Sequence, residues 1–327
     1  MPKIYNWGII GPGRIAHKFA QDLNLIPNAR LHAVASRSLD RAEAFAKQYE
    51  ATYAYGSYEE LVQCPDLDVV YVASPHTGHC EHTLLCLEQG ISVLCEKPFA
   101  LNRHEVQKMV NAAQENKVFL MEAIWTRFLP ATVKALALIE EGVIGEVLSV
   151  KADFGFKANF DPQGRLFNPQ LGGGALLDIG IYPCFLASLL FGAPERIKAM
   201  ANLGKTGVDE EIGILLQYPE GKMAHLHASL IATTKSEAFI YGEKGTIHLH
   251  TRWHETTSMS LLLNGERPQD FHFDLGSKGY LFEAQEVIHC LESGKTESDL
   301  LPLAFSQQLI KLLDDIRSEI GLIYPGD

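Results

Sequence analysis

Positive charge is in short supply: 28 Lys and Arg stand against 40 Asp and Glu, a formal net charge of -12. Phosphate backbones and anionic lipid surfaces are bound by clustered Lys and Arg, so neither nucleic acid nor membrane is an expected partner. Cysteines are few and scattered. Cys64, Cys80, Cys86, Cys95, Cys184 and Cys290 form no CxxC pair and no zinc-ribbon spacing, which excludes a redox dithiol and a thiolate metal site. They read as buried free thiols, and no metal is expected. No apolar run approaches the roughly 20 residues that a bilayer span needs. The chain opens on a strand pattern at Ile4 instead of a charged segment followed by an apolar one, so a cytoplasmic location is expected.

What remains is an ordinary globular composition, 46% hydrophobic and 21% charged over 327 residues, long enough for two cores. The first part alternates short apolar runs with helical patterns. Strands are expected over 4–10, 29–36, 69–72, 92–95 and 118–121, with helices over 14–23, 40–49, 58–63, 79–89 and 103–115 between them. That is the βαβ signature of a doubly wound parallel sheet, a Rossmann domain over 1–122. From 123 to 327 the texture changes. A helix (131–141), a strand (146–156), a glycine-rich loop and a helix (175–191) precede a run of strand-like segments from 196 to 273 with turns at 219–221 and 242–245. Helices over 280–291 and 303–320 close the chain, the last expected to pack back on the first domain. Strands joined by short turns pair antiparallel, so this α+β domain should carry a large, mostly antiparallel open sheet with helices on one face.

At the first βα turn stands Gly11-Pro12-Gly13-Arg14-Ile15-Ala16, a GxGxxA motif. Gly11 allows the tight turn, Gly13 lets backbone approach a pyrophosphate, and Ala16 lets helix and strand pack closely, so a dinucleotide diphosphate would sit on the helix N-terminus. Where an NAD enzyme carries a carboxylate for the ribose 2'-hydroxyl, the second strand ends in Ser36-Arg37-Ser38, with Arg41 one turn further on. Charge-assisted bonds from these groups to a 2'-phosphate favour NADP over NAD. Lys97 emerges from a strand at the carboxyl edge of the parallel sheet, the edge at which such folds bind ligands, and Pro98 restricts its backbone. By itself, a lysine there is more often plain surface. Some 80 residues later, Asp178 and Tyr182 stand i and i+4 on one helix face, in a helix weakened by Gly180 and Pro183.

The GxGxxA turn, Ala35-Ser36-Arg37, Tyr55-Gly56-Ser57-Tyr58, Cys95-Glu96-Lys97-Pro98, Met121-Glu122-Ala123-Ile124-Trp125-Thr126-Arg127-Phe128 and Gly173-Gly174-Ala175-Leu176-Leu177-Asp178 carry a resemblance. Over nearly the whole chain the sequence resembles the glucose-fructose oxidoreductase, inositol dehydrogenase and rhizopine catabolism family. It is most similar to the dimeric dihydrodiol dehydrogenase and NADP-dependent xylose dehydrogenase branch. Inositol dehydrogenase relatives carry His at the position of Tyr182. The resemblance implies hydride transfer between a CH-OH group of a cyclic diol or aldose and NADP, with Tyr182 as acid/base and Lys97 beside it. A free phenol titrates near pH 10, roughly, and a neighbouring ammonium lowers that value. Asp178 would orient Lys97 or a substrate hydroxyl.

Cofactor contacts are implied at Gly11, Gly13, Arg14, Ile15, Ala16, Ser36, Arg37 and Arg41, and at Ser74, Pro75, His76, His79, Glu96 and Lys97. Either histidine could equally cap a helix or lie on the surface. Trp125, Arg127 and Phe154 are implied in the substrate pocket for a polyol, sugar or diol. Neither an export signal nor an extra N-terminal arm is present, so exchangeable NADP is expected. A non-catalytic NADP-sensing regulator of the same fold is the alternative, which retention of Lys97, Asp178 and Tyr182 disfavours. Strand periodicity also sets His225, His227, His248 and His250 opposite the aliphatic face. His-x-His pairs can hold a metal, but a polar homodimer interface on the open sheet face explains them without one.

Overall fold

The computed structural model describes residues 3–325 and 327, and the chain divides into two compact units. The first takes the chain up to Trp125 together with Gly276–Gln307, and the second takes Thr126–Leu275 and the residues from Gln308 onward. This differs from a single cut after residue 122, because a later segment belongs to the first unit.

In the first unit β1 (Tyr5–Ile10), α1 (Arg14–Leu23), β2 (Ala29–Ala35), α2 (Leu39–Tyr49), β3 (Tyr53–Tyr55), α3 (Tyr58–Leu61), β4 (Val69–Val72), α4 (His79–Leu87), β5 (Ser92–Glu96), α5 (Arg103–Asn116) and β6 (Leu120–Ala123) follow one another. The six strands pair in parallel in the order β3-β2-β1-β4-β5-β6. Every residue of β1, β4 and β5 is buried, the continuous apolar texture of strands covered on both faces. α2 buries Ala42, Phe45, Ala46 and Tyr49, an i, i+3, i+4, i+7 stripe that leaves its charges in water. Chain direction across the sheet reverses between β1 and β4, which opens a crevice at their carboxyl ends.

α8 (Leu281–Glu292) joins this unit through Asp22 at the end of α1. The Asp22 carboxylate accepts from the backbone amides of Lys278 (2.8 Å), Tyr280 (2.7 Å) and Leu281 (3.2 Å), so a residue 256 positions or more away caps the helix. The unit boundary then falls within α9 (Leu303–Ile320).

The second unit contains α6 (Pro130–Glu140), β7 (Val147–Gly155), α7 (Ile181–Phe191) and the strands β8 (Arg196–Leu203), β9 (Asp209–Gln217), β10 (Met223–Ser229), β11 (Ala238–Gly242), β12 (Gly245–Leu249), β13 (Ser258–Leu263) and β14 (Gln269–His272). Their sheet runs β14-β13-β12-β11-β7-β10-β9-β8, antiparallel throughout except for the parallel pair β7 and β10. Period-2 patterning gives it one covered face. Ile212, Ile214, Leu216, Ala224, Leu226 and Ala228 are buried, while Leu215 and His225 between them face outward. The registers align Lys198, Leu215, His225, Lys151, Phe239, His248 and Ser260 in one row across the open face.

Two expectations change here. The stretch Pro169–Phe191 is long and apolar enough to cross a membrane by length and composition, contrary to the expectation that no run approaches that length. An apolar 18-residue window of it is 83% buried inside the protein, so its apolarity is that of a core helix. The expected helix over 175–191 is also not uniform: Leu176–Gly180 forms a widened π turn that passes into α7.

Candidate active site

The glycine turn follows from backbone geometry. Gly11 has φ +84, and a Cβ there would stand 2.9 Å from the carbonyl oxygen of Ala73 at the end of β4, so only glycine fits. Gly13 differs: a Cβ would meet nothing closer than 3.9 Å, so packing does not demand its absence, and what its absence leaves is bare backbone. Gly13 is also the N-cap of α1 and makes no side-chain capping bond, and no acidic residue stands in the first turn. Helix N-terminal amides presented this way suit a diphosphate. Ala16 is fully buried against the sheet, whereas Arg14 is exposed and Ile15 half-buried.

At the end of β2, Ser36 is buried and its Oγ accepts from the Ser38 amide at 3.3 Å. Arg37 and Arg41 are exposed, and Arg41 reaches the Pro12 carbonyl of the glycine turn at 3.5 Å. Both guanidiniums oppose the burial that raises the Tyr58 phenol, which puts them together near that ring. A cavity of about 250 Å³ opens beside them, lined by Pro12, His17, Arg41, Ala44, Phe45 and Gln48. The end of β2 itself thus presents a hydroxyl followed by a cation and no carboxylate, with a second cation one turn further on.

The segment after β4 carries Ser74, Pro75 and His76, and His79 opens α4. Pro75 is exposed and His76 half-buried. His79 is fully buried, with Nδ1 2.8 Å from the Pro98 carbonyl and Nε2 2.9 Å from the Ser74 carbonyl. Burial brings its pKa down to about 4 against the pull of both carbonyls, so the ring is neutral and has one N–H to share between them. His79 thus ties the segment after β4 to the segment after β5. Lys97, half-buried, follows β5 and is joined to Pro98 by a cis peptide. Its amide donates to Glu96 Oε2 at 3.1 Å, and the buried Tyr71 hydroxyl donates to Glu96 Oε1. Glu122, which accepts from the Phe99 amide at 2.9 Å, is pushed up to about 7 by burial, with the Lys97 ammonium acting the other way. Trp125 is 4% exposed and stacks on Tyr280, centroids 4.3 Å apart.

In the second unit Tyr182, on the first turn of α7, packs in a trio of rings. Its centroid lies 5.1 Å from His254 and 5.7 Å from Phe154, while Phe154 and His254 stack at 3.9 Å. His254 is fixed from both sides: the Thr126 hydroxyl donates to its carbonyl at 2.6 Å, and the neighbouring Trp253 indole donates to the Asp153 carbonyl at 2.9 Å. Asp178 is buried in the π turn, and Arg165 from the preceding loop donates to its Oδ1 at 2.5 Å and its Oδ2 at 3.5 Å. Arg127 is half-buried. The structure thus joins Tyr182 and Phe154 in one cluster and brings Asp178 an arginine partner. His254 and Arg165 had no signal in the sequence, since each lies in an irregular segment where periodicity says nothing. On the open face, His227 Nε2 stands 3.1 Å from Glu211, and His250 contacts the hydroxyls of Ser258 (2.9 Å) and Ser260 (2.8 Å). Among the described residues no group of three or more His, Cys, Asp or Glu could hold a metal ion.

Comparison with known proteins decides the family. Residues 5–124 match the model of the oxidoreductase family with an NAD-binding Rossmann fold, and residues 132–248 match the GFO/IDH/MocA C-terminal domain. The chain belongs to the GFO/IDH/MocA oxidoreductases. Trans-1,2-dihydrobenzene-1,2-diol dehydrogenase from Mus musculus is 40% identical over 333 residues, 98% of each chain, and that from Homo sapiens is 37% identical over 334 residues, again 98% of each. Among solved structures, a 3-ketoreductase from Actinomadura kijaniata in complex with NADP and TDP-benzene superposes with a TM-score of 0.87 at 25% identity, over 97% of this chain and 98% of that one. An aldose-aldose oxidoreductase from Caulobacter crescentus shares the fold, with a TM-score of 0.88 at 23% identity and 97% coverage of both chains. This GFO/IDH/MocA member is therefore an oxidoreductase whose first unit is of the NAD(P)-binding type.

Proposed function

We propose that the chain is an NADP-dependent dehydrogenase that interconverts a secondary hydroxyl of a cyclic vicinal diol or an aldose with the corresponding carbonyl. The reading is carried by Tyr182, a buried phenol walled by Phe154 and His254, in a chain related along 98% of its length to diol dehydrogenases. The rings of Phe154 and His254 beside a phenol suit the carbon skeleton of a cyclic substrate, whose hydroxyl the phenolic oxygen would meet. NADP, when bound, supplies the hydride acceptor. Arg37, Arg41 and Ser36 hold its 2'-phosphate, and the uncapped first turn of α1 holds its diphosphate. In oxidation Tyr182, ionised to the phenolate, would take the hydroxyl proton as the carbon gives up its hydride and return to the phenol, and the Lys97 ammonium would stabilise the negative charge on the reacting oxygen. In reduction Tyr182 returns the proton. Asp178, neutralised by Arg165, orients the helix turn that carries Tyr182.

The deciding experiment follows reduced-nicotinamide absorbance with NADP or NAD over a panel of cyclic diols, aldoses and hydroxyketones. Turnover with NADP on one of these classes is expected, whereas tight NADP binding without turnover on any of them identifies the chain as an NADP sensor. We also propose a homodimer through the open sheet face, which displays His225, Leu215 (46% exposed) and Met200 (85% exposed). Sedimentation of a single 36.2 kDa species at micromolar concentration would refute it.

A further inference from the structure

The helix that carries Tyr182 starts from Gly172-Gly173-Gly174, and that loop is held in an unusual way. Asp209, the first residue of β9, has no exposed surface, and its Oδ2 accepts from the Leu176 amide at 2.6 Å. The amide of Ala175 faces the same carboxylate. Asp209 thus caps the π turn from a strand 33 residues further along the chain. Gly174 sits at φ +125, and a Cβ there would overlap Asp209 Oδ1 and stand 3.1 Å from Tyr324 Oη, so the loop is glycine because these two side chains occupy its side-chain space.

Tyr324 closes the other side. Its hydroxyl donates to the Gly173 carbonyl at 2.5 Å, and its ring, 1% exposed, lies beneath the Arg317 guanidinium at 5.1 Å. Arg317 is in turn fixed by Asp314 and Asp327, each at 2.7 Å. Neither Asp209 nor Tyr324 is among the groups to which the proposed reaction assigns a chemical step, yet both are buried polar groups aimed at the segment from which Asp178 and Tyr182 project. A buried carboxylate and phenol are costly to keep without partners, and here the partners are the backbone groups of the glycine loop and the turn that follows it.

We propose that Asp209 and Tyr324 are positioning residues: they clamp the glycine loop between β9 and the segment after α9, and so fix where the Tyr182 hydroxyl meets the substrate oxygen. The inference rests on the reading of Tyr182 as acid/base. A misplacement of about 1 Å can cost on the order of 100-fold in rate, so loss of one clamp bond is set to lower turnover by about 10-fold.

The test is steady-state kinetics on the full chain for Tyr324→Phe, Asp209→Ala, Asp209→Asn, Tyr182→Phe and the double variant Tyr182→Phe/Tyr324→Phe. Tyr324→Phe keeps the ring under Arg317 and removes one hydroxyl, so it folds even where Asp209→Ala does not. It is expected to lower kcat while leaving KM for NADP within about twofold, because the cofactor groups lie in the other unit. Asp209→Asn, whose amide oxygen can still accept from Leu176, is expected to recover most of what Asp209→Ala loses. Against a Tyr182→Phe background the Tyr324 change should have no further effect, since its influence runs through the missing hydroxyl. An unchanged kcat in folded Tyr324→Phe, or a full additional loss in the double variant, overturns the clamp. Tyr182→Phe as active as the parent overturns instead the acid/base reading on which it rests, and the two failures are told apart by that one variant.

Discussion

Asp209 gives a prediction whose size can be worked from its surroundings. Burial pushes its carboxyl from an ordinary 3.8 to about 7, against the Leu176 and Ala175 amides and the Arg317 guanidinium, all of which favour the ionised form. A pKa raised on folding means that the folded state holds the proton more tightly than the unfolded chain. The associated stability is complete below the unfolded value and is lost as pH rises through the folded one. From pH 5 to about pH 7 the folded state loses about 1.4 kcal/mol of stability per pH unit, and above that nothing more, so this group alone removes about 3 kcal/mol between pH 5 and pH 8. Asp209→Asn carries no titrating proton. The amide can leave one N–H unpaired at a cost of about 1–3 kcal/mol, but that offset is the same at every pH. The informative quantity is therefore the difference in melting temperature between variant and parent, measured at pH 5 and again at pH 8. It should move in the variant's favour by about 6–12 °C on going to the higher pH, taking about 2–4 °C per kcal/mol for a unit of this size. A difference that does not change with pH would show that Asp209 is ionised in the folded protein throughout, and the burial argument would fail.

Three further outcomes are expected. Arg37→Asp should weaken NADP far more than NAD, read by fluorescence titration of each, since it sets a carboxylate against the 2'-phosphate; equal weakening would make the arginine structural. Tyr182→Phe, and separately Lys97→Met, should reduce turnover by about 100-fold or more with NADP affinity retained, as loss of acid/base or oxyanion stabilisation does, while parallel loss of cofactor binding would remove both from the chemistry. Gly11→Ala places a Cβ 2.9 Å from the Ala73 carbonyl oxygen at φ +84, so it should destabilise the first unit by at least about 2 kcal/mol and abolish the rise in melting temperature on adding NADP; an unaltered thermal shift would mean the turn can move aside.

The residues legible in the sequence are those whose role is enforced locally. The glycine turn was readable because a strand, a positive φ and a helix start succeed one another within a few residues, and Gly11 has that φ. The helices α1 and α9 were readable to the residue because each has one apolar stripe, and Asn102, which accepts from the Glu105 amide at 3.0 Å, marks the start of α5 in the same local way. Periodicity failed where it has no phase. β3 is three residues long and half-exposed, too short to alternate visibly, and α7 with its π turn is buried all round from Leu176 to Ser188, so no face distinguishes a π turn from an α turn or a core helix from a membrane span.

Nor does periodicity say which core a stripe serves, and that is why α8 was not assigned to the first unit: the reason, an aspartate on α1, is 256 residues away from the first amide it caps. The same limit governs the site. Lys97 and Tyr182 are carried by recognisable local motifs, but what shapes the surroundings of Tyr182 arrives from far along the chain, His254 from a turn after β12 and Tyr324 from 151 residues beyond the glycine it holds. Chemistry therefore shows early in such a sequence, and specificity shows late. The groups that set reaction type are tied to backbone features that a few residues can spell out, whereas those that set which substrate fits and how accurately it is presented come from irregular segments that only the fold brings together.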